Sequence, residues 1–206
     1  MIDLTVAILA GGNSKRFGSE KALAEFQKRP LISHMLDIAH KISKNVLIVV
    51  SEDAQLEKIK PYIKGRRTAV DPEGSVKCAL SGAITAFEHA GTEYTLLLPI
   101  DAPLARPSLL QVLVEMSPKH GAVVPSWPSG YIEPLHSVYL TEHAYLHGLE
   151  VTERGSFKMS SMLEHLQNVL YVSTETLKQF DSKLDTFKNF NTLKDLRAAE
   201  GKQKRS

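Results

Sequence analysis

Residues 9–21 read LAGGNSKRFGSEK, and their types suit one chemistry. Gly11 and Gly12 are adjacent, and Ser14, Lys15, Arg16 and Lys21 follow within a few positions. Glycines let a backbone come close to a ligand and take turns that a Cβ forbids. Free N–H groups in such a loop, entered through Leu9 and Ala10, can face phosphate oxygens. Lys15, Arg16 and Lys21 supply opposing charge, and an arginine can clamp two oxygens at once. The natural ligand of this stretch is the triphosphate of a nucleotide. The plain alternative is a glycine-rich surface loop with incidental basic residues.

Two familiar phosphate loops do not fit. A Walker A loop ends in Gly-Lys-Ser/Thr, whereas Gly18 is followed by Ser19, Glu20 and Lys21. A dinucleotide fingerprint needs G-x-G-x-x-G, and Gly11-Gly12 with Gly18 does not provide it.

Asp101 is the second group of interest. It follows the apolar run TLLL and stands between Pro99 and Pro103, which stiffen the turn. A carboxylate at the end of a buried strand needs a partner, because an unpaired buried charge is costly. Mg²⁺ is commonly held by one or two carboxylates plus substrate phosphates, so Asp101 is a candidate magnesium ligand. A salt bridge, or a cap for the helix starting at Pro107, is the structural alternative.

The elements that must position these groups are legible as an alternation. Strand-like apolar runs cover residues 4–9, 45–50, 68–70, 94–98, 121–124, 135–140 and 169–172, with residues 22–26 also extended. Helical spacing covers residues 30–42, 54–63 (interrupted by Pro61), 75–89, 107–116, 142–149, 157–166, 177–180 and 192–199. Pro30 and Pro107 suit first helical positions. Alternating strands and helices predict an α/β fold: a three-layer, doubly wound, mostly parallel sheet. In such sheets ligands sit beyond the carboxyl ends of the strands. The loop after Leu9, Ser51 and Asp101 all fall there.

The glycine loop closely resembles the signature L-A-G-G-x-S-x-R-[FM]-G-x-x-K of MobA-like nucleotidyltransferases, the molybdenum cofactor guanylyltransferase family. LLPIDAPL resembles the family's second motif, an Asp followed two residues later by Pro, with Ile100 where Cys or Gly is frequent. The resemblance implies a Rossmann-like nucleotidyltransferase fold. It implies catalytic roles for Arg16, Lys21 and Asp101, with Mg²⁺ on Asp101. It places Leu9, Ala10, Gly11, Gly12, Ser14, Ser51, Asp71 and Gly82 around the nucleotide. Ser51 stands where Asn is frequent. Asp71 could equally be a turn former before Pro72, and Gly82 could serve simple packing.

Later segments match more loosely. Residues 133–139, EPLHSVY, resemble E-P-L-x-A-[VL]-Y, and Asn189-x-Asn191-Thr192 resembles N-x-N-T-P with Leu193 for the proline. The resemblance puts Glu133, Pro134, Asn189 and Asn191 around an acceptor pocket. Glu133 could instead pair with a base, and Asn191 could cap a helix near Thr192. His136 reads as structural within an alternating strand, and the other histidines show no metal-ligand spacing.

By resemblance the donor is GTP, the acceptor is the phosphate of molybdopterin carrying molybdenum, and a molybdoenzyme or cofactor-delivery protein receives the product. A relative using CTP, or another phosphorylated acceptor such as a sugar phosphate or cobinamide phosphate, competes with this reading. So does a catalytically silent nucleotide- or cofactor-binding module.

Length and composition frame these expectations. The 206 residues suit one domain over 1–200, with a nucleotide-binding part to about 125, an acceptor part from about 126, and a basic tail at 201–206. A net charge of +2 gives no general case for nucleic acid binding. No apolar run approaches the ~20 residues of a membrane span. The start lacks the pattern of a secretion signal. Cys78 is the only cysteine, which excludes an intrachain disulfide and agrees with a cytoplasmic location.

Overall fold

The computed structural model describes residues 2–11 and 20–203. Gly12, Ser14, Lys15 and Arg16 of the glycine loop lie outside them, as do residues 204–206 of the tail.

Among the described residues seven strands form the main sheet. They are β1 (Leu4–Leu9), β4 (Asn45–Val50), β5 (Arg67–Val70), β6 (Tyr94–Pro99), β7 (Ala122–Ser126), β8 (Val138–Leu140) and β9 (Val169–Ser173), in spatial order β5-β4-β1-β6-β8-β7-β9. Among the described residues only β8 runs antiparallel to its neighbours in this sheet, β6 and β7. A small hairpin, β2 (Glu25–Phe26) with β3 (Arg29–Pro30), stands apart from the sheet.

Side-chain alternation divides the core. Val6, Ile8, Ile48, Leu96 and Leu98 point to one face, covered by α1 (Leu31–His40) and α4 (Pro107–Glu115). Ala7, Leu9, Leu47, Val49 and Leu97 point to the other, covered by α3 (Ala79–Ala90), α5 (Thr141–Glu153) and α6 (Met159–His165). The central strands are therefore apolar on both faces, as buried parallel strands must be. The remaining helices are α2 (Asp53–Ile63), α7 (Thr174–Leu177) and α8 (Leu193–Gln203). None among the described residues is long and apolar enough to cross a membrane.

Several local expectations are corrected. Residues 22–26 are not continuously extended: Lys21–Leu23 form a 3-10 turn before β2. Gln27 and Lys28 both take positive φ, giving a tight hairpin without the usual Asn-Gly. α2 runs through Pro61, which falls in the final turn before Lys64 turns left-handed. α3 begins at Ala79 rather than 75, because Cys78 is still extended. Residues 134–136 are a 3-10 turn, so His136 is not in a strand and β8 is short. The helix expected at 177–180 lies at Thr174–Leu177.

Candidate active site

Register brings the expected residues to one edge. Leu9 pairs with Val49 on one side and Pro99 on the other, and Val50 pairs with Val70. The ladder continues one residue further: Asp71 N–H donates to the Val50 carbonyl at 2.9 Å, and Ile100 N–H to the Leu9 carbonyl at 3.2 Å. Asp71 and Ser51, and Asp101 across β1 from them, thus leave the sheet at the same edge.

They line one cavity with Leu9, Gly11, Lys21, Gly82 and Asn189. Lys21 and Asp101 form an ion pair at its edge. Phe190 N–H donates to the Asp101 carbonyl at 2.9 Å, which brings the neighbouring Asn189 to the same opening. Pairing is therefore present at Asp101, while the cap of α4 makes no side-chain hydrogen bond.

Asp71 is buried, and its Oδ1 accepts from the Thr85 hydroxyl at 2.7 Å. Burial raises its pKa above the usual carboxylate value, against the hydrogen bonds of Thr85 and Ser51 and the charge of Lys77, which lower it. Behind Ser51, Gln55 Oε1 accepts from the Ser51 N–H at 2.9 Å, and Gln55 Nε2 donates to Glu20 at 3.3 Å. That chain ties the exit of the glycine loop to the end of β4.

The two glycines that line the cavity differ. A Cβ on Gly11 would collide with Ser51, including its backbone N at 2.9 Å. Among the described residues a Cβ on Gly82 would meet only the Leu9 methyls at 3.9 and 4.0 Å, an ordinary contact. Packing does not require glycine at 82, whereas the cavity does become larger without a side chain there. The amides of Ala10 and Gly11 are already committed to the Val49 carbonyl, at 2.8 and 3.1 Å. Both amides are thus engaged within the sheet edge.

Glu133, Pro134 and Asn191 do not line this cavity. Glu133 is buried, accepts from Trp127 Nε1 at 2.8 Å and lies 3.8 Å from His136 Nδ1. Its neighbour Leu135 does reach the cavity. The cap of α8 is not Asn191: the Thr192 hydroxyl accepts from the Asp195 N–H at 3.1 Å, while Asp195 accepts from the Asn191 N–H at 3.1 Å. Cys78 and Ala79 also border the cavity; helical spacing from residue 75 hides them, because α3 begins only at Ala79.

The histidines hold one arrangement that spacing alone did not suggest. His143 and His147 are one turn apart on α5, with Nε2 atoms 3.1 Å apart. Among the described residues no group of three or more His, Cys, Asp or Glu side chains could hold a metal.

A family model described as MobA-like NTP transferase domain matches residues 6–169. A probable molybdenum cofactor guanylyltransferase of Methanosarcina mazei is 30% identical over 92% of this chain and 86% of its own length. One of Pyrococcus horikoshii is 31% identical over 94% and 97% respectively. Among solved structures, molybdopterin-guanine dinucleotide biosynthesis protein A from Archaeoglobus fulgidus superposes with a TM-score of 0.83. It is 28% identical and is covered completely, against 98% of this chain.

Proposed function

The chain belongs to the MobA-like NTP transferases and is a nucleotidyltransferase, and from that premise we propose that it transfers GMP from GTP to the phosphate of molybdopterin. The observation that carries the proposal is the meeting of Lys21 and Asp101 at the cavity that Ser51, Asp71 and Gly82 also line. The names of the relatives support guanine and molybdopterin as donor base and acceptor.

In this reading an oxygen of the acceptor phosphate forms a bond to the α-phosphorus of GTP. The bond from that phosphorus to the bridging oxygen breaks, and pyrophosphate leaves with the electron pair. A phosphate monoester is already anionic, so no general base is required. Lys21 and Arg16 hold the triphosphate and offset the charge that grows on pyrophosphate. The cavity aligns the reactants, since positioning is the larger part of such catalysis. Leu9, Gly82 and the Ser51–Asp71 side take the nucleoside, and Asn189 approaches from the acceptor side.

The donor set suits magnesium. Asp101 offers one mostly buried carboxylate at the edge where phosphates would lie, and Mg²⁺ commonly takes one or two carboxylates and completes its shell with phosphate oxygens and water. When bound, the ion supplies charge neutralisation between the two anionic reactants.

Calorimetry with GTP, ATP, CTP and UTP in the presence of Mg²⁺ tests the base. GTP is expected to bind at least several-fold tighter than CTP or UTP. Equal affinities, or a preference for CTP, would reject guanine while leaving nucleotidyl transfer intact. Pyrophosphate release with Mo-molybdopterin tests the acceptor.

A further inference from the structure

Away from the cavity, Asp181 is a charged residue with no exposed side-chain surface. Its Oδ2 accepts from the Thr186 N–H at 2.7 Å and from the Thr186 hydroxyl at 2.8 Å. The same hydroxyl accepts from the Arg106 N–H at 3.1 Å, and Arg106 Nε lies 3.2 Å from Asp181 Oδ1. Burial raises the Asp181 pKa, but the Thr186 bonds and Arg106 outweigh it and hold the carboxyl below its ordinary value. The group is therefore a buried anion whose Oδ2 is hydrogen-bonded to Thr186, while Oδ1 makes no hydrogen bond among the described residues and faces only the Arg106 guanidinium.

Those partners lie on two segments that both lead to the cavity. Arg106 closes the loop that starts at Asp101. Thr186 belongs to the 3-10 turn Asp185–Phe187, which runs into Asn189 and Phe190. Beyond the turn, Phe190 N–H bonds the Asp101 carbonyl, and its ring stacks on Phe26 at 5.9 Å. Phe187 packs edge-on against His136 at 5.4 Å and Trp127 at 6.0 Å. Trp127 in turn holds Glu133.

We propose that Asp181 is a positioning residue that straps segment 181–190 to loop 101–106, so that Asn189, on the acceptor side, is held in fixed register with Asp101. The inference rests on the transfer reaction proposed above. It gives the buried carboxylate a task that a solvent-side turn would not need. It also explains how Glu133, outside the cavity, bears on the acceptor side: it holds Trp127, against which Phe187 of the strap packs.

The test uses Asp181→Asn and Thr186→Val in the full chain. The first removes the charge facing Arg106 but keeps the size. The second removes one hydroxyl and keeps the backbone bond. Four quantities are read: the KM for Mo-molybdopterin, the GTP affinity by calorimetry, turnover, and hydrogen exchange at the Phe190 amide. Misplacement of a positioning group costs up to roughly 100-fold, so the acceptor KM should rise on the order of tenfold or more in Asp181→Asn and less in Thr186→Val. GTP affinity should stay close to wild type, and Phe190 exchange should accelerate in both. If Asp181→Asn does not fold, Thr186→Val decides alone by the same readouts. Folded variants with a wild-type acceptor KM overturn the proposal, as does an equal loss of GTP affinity, which would mark a merely structural role. If the wild type itself makes no product with this acceptor, the functional reading fails, and Phe190 exchange still decides the strap: unchanged exchange in the variants overturns it.

Discussion

Lys21 and Asp101, 80 residues apart in the chain, meet as an ion pair at the carboxyl edge of the sheet. One follows the glycine loop after β1, and the other follows β6 directly. The parallel pairing of β1 with β6 brings them together. Both side chains are largely buried, at 20% and 11% exposure, so this pair is screened less than a surface one.

Lys21→Ala should lower turnover by roughly 10²–10³-fold, the scale for losing one aimed electrostatic donor. Far-ultraviolet circular dichroism should not change. A fully active variant would move the phosphate contacts onto Arg16 and Lys15 and remove Lys21 from the mechanism.

Gly82→Ala separates folding from binding. Among the described residues the added methyl meets only Leu9, at ordinary distance. Alanine improves helix propensity by about 1 kcal/mol, so the melting temperature should rise by ~2–4 °C. Nucleotide affinity should nevertheless fall, because the methyl occupies cavity space. Unchanged affinity would mean that the nucleotide does not approach this turn of α3.

Asp71 yields a pH prediction. Its folded pKa is raised from 3.8, chiefly by burial. The folded state therefore holds this proton to higher pH than the unfolded chain does. Stability falls as pH rises from 3.8 through the folded value, and the cost persists above it. Asp71→Asn should then melt higher than wild type at neutral pH, with the advantage shrinking toward pH 3.8 and below, while nucleotide binding weakens. Melting curves of both proteins across pH check this. A variant less stable at neutral pH would show that the Thr85 and Ser51 bonds outweigh burial.

The strands and the family were legible because apolar runs and a dense motif are local signals. NVLIVV can hardly be anything but a buried strand, and it is β4. The hairpin of β2 and β3 was not legible, since Gln27 and Lys28 carry no turn signal and adopt positive φ under tertiary constraint. The reversal of β8 was equally hidden, because strand direction leaves no trace in a three-residue pattern. At the site, Asp101 could be read from its place after an apolar run. The strap could not: Asp181 looks like an ordinary loop residue until Thr186 and Arg106 fold around it.

Mg²⁺-titrated pyrophosphate release by wild type and Asp101→Asn, with melting temperature on the same preparations, tests the account most directly. Asparagine keeps the size and one carbonyl oxygen but loses the charge that a hard divalent cation favours. It also weakens the pair with Lys21. The account predicts that wild type releases pyrophosphate from GTP only with acceptor and Mg²⁺. It predicts that Asp101→Asn stays folded, binds GTP and releases none. If Asp101 serves structure alone, the substitution should cost about 1–3 kcal/mol of stability and leave activity per folded molecule intact. A destabilised but fully active Asp101→Asn would contradict the mechanism.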